Sequence, residues 1–224
     1  MDPTLLLAVN ALAGGLFLLC AFGIVTMRQV RGCLNLFIAQ SLLLAASAFL
    51  LGAAFDSWHL VGVGIVNLIA KPFVIPWILR RMLHEEIYAR REIDQAVNIP
   101  TSLLAALALV ILGYFLTLPI LEALDPASRL GNVAIGFAGL FLGAFTLAVR
   151  REAVPLLIGV LAMENGAFFA GIAMSRNLPF IVELAIASDG LILVFVVGVL
   201  TRMLHRRVGS TDVGALAALK EGEP

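Results

Sequence analysis

The chain has 224 residues, 61% of them hydrophobic and only 13% charged, about half the charged share of an ordinary soluble domain. Fifteen basic residues balance fifteen acidic ones, so no overall field favours nucleic acid or an acidic partner. This composition excludes a soluble globular domain and points to an integral membrane protein embedded in a lipid bilayer.

Apolar runs long enough to cross a bilayer as a helix recur along the chain at 4–26, 33–55, 60–79, 101–121, 130–149, 153–175 and 178–203. Main-chain polar groups in lipid must be satisfied internally, so the expected fold is all-α: a polytopic transmembrane helix bundle of about seven spans. The opening MDPTLLLAVN lacks the basic stretch of a signal peptide, and the first run is expected to be retained as a span. Cys20 in the first span and Cys33 at the start of the second have no further thiols beside them, so neither a disulfide framework nor a metal site is expected.

The second span carries Gln40 and Ser41 near its middle, hydrogen-bonding groups suited to holding helices together. Lys71 stands in the third span, followed by Pro72 and Pro76. Each proline lacks an N–H and crowds the carbonyl four residues back, which predicts a bend or opening beside the lysine. The insert at about 80–100 sets Leu79, Leu83 and Ile87 at helical spacing, as a short cytoplasmic amphipathic helix would. Further on, PLLIGVLAMENGAFFAGIAMSR places Glu164 at the centre of the sixth span beside Asn165. An isolated carboxylate at that depth costs about 2.5–3.5 kcal/mol, so it must be protonated, paired or facing a wet interior. Ala162, Gly166 and Ala170 form a smooth stripe next to it, expected to turn Glu164 toward a helix seam or a partner subunit. The seventh span holds Glu183 and Asp189, roughly 120° apart around a helix. Lys71, Glu164 and Asp189 fall near the midplane, with Glu183 further out.

Basic residues follow alternate spans: Arg28 and Arg31, then Arg80, Arg81, Arg90 and Arg91, then Arg150 and Arg151, then Arg202, Arg206, Arg207 and Lys220. The opposite connections hold Arg129 and Arg176. This bias places the N-terminus outside and the C-terminus in the cytoplasm. The chain divides into a four-span region at 1–129, a three-span region at 130–208 and a short cytoplasmic tail at 209–224. No phosphate-binding loop, metal-ligand spacing or nucleophile with its base is present in the sequence, so no catalytic residue is assigned. The residues read as a conductor of protons, with a structural spacer and a stand-alone seven-helix receptor or transporter as the alternatives. A retinal-type protein is disfavoured because Lys71 lies in the third span, with two tryptophans and two tyrosines in the whole chain to line a chromophore.

The run VRREAVPLLIGVLAMENGAFFAGIA, the segment LPFIVELAIASDGLILVFVVGVLTRMLHRR and the ending STDVGALAALK resemble the hydrogenase-4 component E family. The upstream IAKPFVIPWIL and IAQSLLL are similar to that family's lysine-bearing third span and its glutamine-serine segment. The last three spans in turn resemble the K subunit of respiratory complex I, where a basic pair precedes a LIG-type helix (here Leu157, Ile158 and Gly159) and two successive helices carry buried acids. Glu164 sits about one turn later than the corresponding K-subunit acid.

The resemblance implies a non-catalytic membrane-arm subunit of a complex I-related oxidoreductase, a nickel–iron hydrogenase or formate hydrogenlyase, in a bacterial inner membrane. Its implied partners are antiporter-like membrane subunits and peripheral hydrogenase-like subunits. The nickel–iron site and iron–sulfur clusters are expected in those partners, with no cofactor or metal on this chain. The proton pathway is expected to run through Glu164, Asp189, Lys71 and Glu183, supported by Gln40 and Asn165.

Overall fold

The computed structural model describes residues 3–82, 97–123 and 131–174, together with Ile93 and Val194. Its elements are helices: α1 (Pro3–Thr26), α2 (Val30–Ala54), α3 (Trp58–Ile69), a π-helical turn (Ala70–Val74), α4 (Ile75–Met82), α5 (Ile99–Ala123), α6 (Asn132–Val149) and α7 (Ala153–Met174). The stretch α3, π turn and α4 makes one crossing, Trp58–Arg81, so the described residues hold six helices of membrane-spanning length and apolarity. These follow the first six expected runs. The seventh, 178–203, with Glu183 and Asp189, lies outside the described residues apart from Val194, as do most of the 80–100 insert and the tail after 208.

The bundle is built as adjoining antiparallel pairs. Helix α1 packs on α2, α5 and α6; α2 packs on α3, the π turn and α7; and α6 pairs with α7. The tight turn after α2 places Asp56 at φ 51°, a left-handed conformation that a short polar side chain tolerates, and Ser57 then caps α3 by accepting from the Leu60 N–H. Helix α5 sits at the periphery against α6 and α1, with Leu104, Leu107, Ile111 and Phe115 exposed on its outer side. On a membrane protein such a face is the one turned to lipid or to a neighbouring subunit.

Small residues bring α6 and α7 into close contact. A Cβ added at Gly166 would collide with the backbone of Leu140, Gly139 and Gly136, and one at Gly136 or Gly143 would collide with Ala170 or Met163. The expected stripe on α7 is therefore met by a second one on α6, Gly136, Gly139 and Gly143. At the end of this pair where α6 stops and α7 begins, Arg150 is buried at 3% exposure, and its Nη2 donates to the carbonyls of Ile24 (2.9 Å), Val25 (2.9 Å) and Met27 (2.6 Å). These carbonyls belong to the C-terminal end of α1, where a cation is favoured by the helix dipole. Burial draws the Arg150 guanidinium below the usual arginine range, an effect opposed by Cys33 and Glu152. Arg150, expected only as a basic residue of a cytoplasmic connection, is thus also the cap of α1.

Among the described residues a small apolar cluster of Ala21, Val25, Ala106 and Leu142 joins α1, α5 and α6, and two larger ones fill the rest of the interior. One joins Ile24, Leu34, Phe37, Ile75, Leu79 and Leu161, with Ile93 and Val194 also in it; the other joins Phe17, Leu44, Leu51, Leu60, Phe168 and Phe169. The polar residues of α2, the π turn and α7 lie between them.

Candidate functional site: a buried ion pair in a polar layer

On α2 the order along the helix is Phe37, then Gln40 and Ser41, then Leu44; on α7 it is Leu161, then Glu164 and Asn165, then Phe168. On the third crossing Val63 of the second cluster precedes Asn67 and Lys71, and Ile75 of the first follows. Each of three crossings thus changes from one apolar cluster to the other through a polar step about one to two turns long. The three polar steps form one layer at mid-depth.

The π turn Ala70–Val74 presents the lysine. Pro72 cannot donate to the carbonyl of Leu68, and the helix widens there: the N–H of Ile75 reaches the carbonyl of Ala70, five residues back. The bend or opening expected from Pro72 and Pro76 takes this form. Lys71, in the widened turn, is 2% exposed, and its Nζ lies 2.8 Å from Glu164 Oε1, whose side chain is 19% exposed. The ammonium also stands 5.3 Å from the centre of the Phe168 ring, one turn beyond Glu164 on α7. Two of the residues proposed from sequence are therefore brought into direct contact across two crossings.

Gln40 and Asn165, expected as supporting groups, also meet. Asn165 Nδ2 donates to Ser41 Oγ at 3.0 Å and to Gln40 Oε1 at 3.4 Å, and all three residues are fully buried. These bonds tie α7 to α2 directly beside the ion pair. The layer is not saturated: Gln40 Nε2, Asn165 Oδ1 and Asn67 Oδ1 are buried without a hydrogen-bond partner among the described residues. Unpaired buried polar atoms are costly, and those that persist are ordinarily met by internal water. Asn67, four residues before Lys71 on the same face, was not singled out from sequence, although that spacing was the available signal. Glu183 and Asp189 lie outside the described residues.

A carboxylate and an ammonium at contact distance can exchange a proton, or part when another charge approaches, and either change alters the field along the layer. A bundle of membrane-length helices with such a pair at its centre defines a multi-pass membrane protein with ionisable chemistry inside the bilayer.

No family model matches the sequence, and no solved structure matches it. Among known proteins the chain is 33% identical to the uncharacterized protein Rv0085 of Mycobacterium tuberculosis over 213 residues, 95% of this chain and 96% of that protein. It is 29% identical over 224 residues to hydrogenase-4 component E of Escherichia coli strain K12, covering 95% of this chain and 97% of the relative. The same protein of Shigella flexneri gives the same identity and coverage. The chain is a homologue of hydrogenase-4 component E along nearly its whole length.

Proposed function

We propose that the chain is a non-catalytic membrane-arm subunit of a complex I-related oxidoreductase of the hydrogenase-4 or formate hydrogenlyase type, and that it takes part in redox-coupled proton translocation. The observation that carries the reading is the Lys71–Glu164 contact of 2.8 Å within a layer of unsaturated polar groups at mid-depth. In this reading Glu164 exchanges protons and Lys71 sets its affinity for them. Asp189 and Glu183 continue the pathway, and Gln40 and Asn165 hold its geometry. The similarity to hydrogenase-4 component E along nearly the whole chain supports membership of a multi-subunit hydrogenase complex. The complex would include antiporter-like membrane subunits and peripheral subunits bearing the nickel–iron site and iron–sulfur clusters, in a bacterial inner membrane.

The test is a gentle purification of the tagged chain from its native membranes, carried out for the parent protein and for Glu164→Gln. The parent is expected to return antiporter-like subunits together with nickel and iron. The variant is expected to return the same companions in similar amount while proton uptake into vesicles, measured per turnover, falls about tenfold or more. Undiminished proton movement would exclude Glu164 from the path. Loss of the companions from the variant would instead make the ion pair a structural lock, and a parent chain recovered alone and folded would overturn the subunit reading.

A further inference from the structure

The third crossing carries both tryptophans of the chain, Trp58 at the start of α3 and Trp77 in α4. They are 84% and 60% exposed, although tryptophan is highly buried on average. The exposed residues between them are Ile65, Ile69 and Phe73, all apolar. In an undistorted α-helix the step of nineteen residues from Trp58 would turn Trp77 about 100° away from it. The π turn Ala70–Val74 takes up one extra residue, which removes about that rotation and returns both rings to one face. Trp58, Ile65, Ile69, Phe73 and Trp77 therefore form one stripe along the outside of the bundle, and Arg81 continues it one turn further.

The stripe has the dimensions of a bilayer. About 27 Å separates the two tryptophans along the axis, close to the hydrocarbon thickness of about 30 Å. Tryptophan is enriched at the two membrane interfaces, where its ring meets lipid and its N–H meets water. Asn67 of the polar layer stands about midway between the rings, so the stripe gives that layer a depth near the middle of the membrane. The open faces of α1 and α5 have no tryptophan at either end.

At the α4 end the stripe meets charge. Arg80 and Arg81 are exposed, and the Arg81 guanidinium lies 5.6 Å from the centre of the Trp77 ring, which holds it at the level of the interface. Among the described residues neither arginine is paired with a carboxylate. Two such guanidinium groups at the end of an apolar stripe complement a phosphate at the end of an acyl chain. Their two positive charges favour a lipid of net negative charge over a zwitterionic one, whose ammonium they repel.

We propose that this stripe is turned to lipid in the assembled complex and seats an anionic phospholipid, with its acyl chains along Ile69, Phe73 and Trp77 and its phosphate on Arg80 and Arg81. The stripe is then a side from which no neighbouring subunit approaches. Such a contact requires the chain to sit in a bilayer and is independent of the chemistry of the ion pair.

For the test, p-benzoylphenylalanine replaces Ile69 or Phe73, one at a time, in the assembled complex, and native membranes are irradiated. The benzophenone couples to C–H bonds within reach, so it captures acyl chains and protein alike, and the mass of the tagged chain tells which. The expected product is a phospholipid adduct, with anionic headgroups enriched at least about fivefold over their share of the membrane. Arg80→Gln combined with Arg81→Gln is expected to keep the lipid adduct and return its headgroups to the membrane's own proportions. Coupling to another subunit would overturn the proposal and make the stripe a protein interface. An uncoupled chain would overturn it as well, since lipid always presents C–H bonds. Headgroups in the membrane's proportions with both arginines present, or enrichment that survives their loss, would remove the phosphate site. If the doubly substituted chain fails to assemble, the enrichment measured with both arginines present decides.

Discussion

Removing an ammonium and a carboxylate from water together costs several kcal/mol for each, and their attraction repays it only at contact distance. Lys71 and Glu164 meet that condition at 2.8 Å, and the asymmetry of the arithmetic yields a prediction. Lys71→Leu leaves Glu164 facing an apolar side chain at mid-depth and is expected to lower the stability of the assembled protein by about 3–5 kcal/mol. Combining it with Glu164→Leu removes both charges and is expected to restore most of that stability, while coupled proton movement stays lost. Thermal melting of the purified complex, read beside proton uptake, checks both parts. Failure of the double variant to recover would mean that the layer needs its charge for folding itself. Lys71 and Glu164 were legible as candidates because an ionisable residue in an apolar run is rare enough to stand out. Its pairing was not, because which helix faces which is decided by side-chain packing across the bundle rather than by spacing along one helix. Asn10 of α1, Ser47 of α2 and Asn132 of α6, which hydrogen-bond to one another, carry no such signal in the sequence: a neutral polar residue in a span costs little and acquires meaning only beside its partners.

At the scale of the element, the seam between α6 and α7 depends on absent side chains. The Cβ of an alanine at Gly166 would meet backbone atoms of Leu140, Gly139 and Gly136, which cannot turn aside as a side chain can, whereas one at Gly171 on the same helix would touch nothing among the described residues. Gly166→Ala is therefore expected to destabilise the protein by about 1–3 kcal/mol or more through overpacking. Gly171→Ala is expected to be neutral or slightly favourable, since alanine is the better helix former. Melting of the two variants side by side separates the seam from a general intolerance of substitution in α7. The α7 half of this seam was visible as Ala162, Gly166 and Ala170 at a spacing of four. The α6 half, Gly136, Gly139 and Gly143, carried the same kind of signal, but small residues in a span are common and only the meeting of two stripes makes a seam. The third crossing shows the opposite balance. Its two prolines foretold a local departure from α geometry, because a missing N–H is a property of the residue and needs no tertiary context. The particular form, a π turn with Lys71 inside it, depends on the neighbours that hold it.

For the whole molecule, the alternation of helices gathers the bases at one end. Arg28 lies between α1 and α2 and Arg31 in the first turn of α2, Arg80 and Arg81 at the end of α4, and Arg150 and Arg151 between α6 and α7. Contacts along this end are direct: Arg150 binds carbonyls at the end of α1, and the N–H of Ile93 bonds the carbonyl of Arg28 at 2.8 Å. The opposite turn between α2 and α3 holds Asp56 and no base. Translocating a cluster of arginines across an energised membrane is disfavoured, so the basic end is expected to face the cytoplasm and the Asp56 turn to face outward. Asp56 and Gln29 are both exposed and stand at opposite ends of α2, which makes them a matched pair of reporters. In intact cells an impermeant maleimide is expected to modify Asp56→Cys, and to modify Gln29→Cys only after the membrane is opened. Neither substitution removes a base, so the charge bias that sets the orientation is left intact. The reverse pattern would put the basic end outside and overturn the orientation without touching the fold. Modification of both from one side would mean that α2 does not cross the membrane, and the mid-depth position of Gln40, Ser41 and the ion pair packed beside them would fall with it.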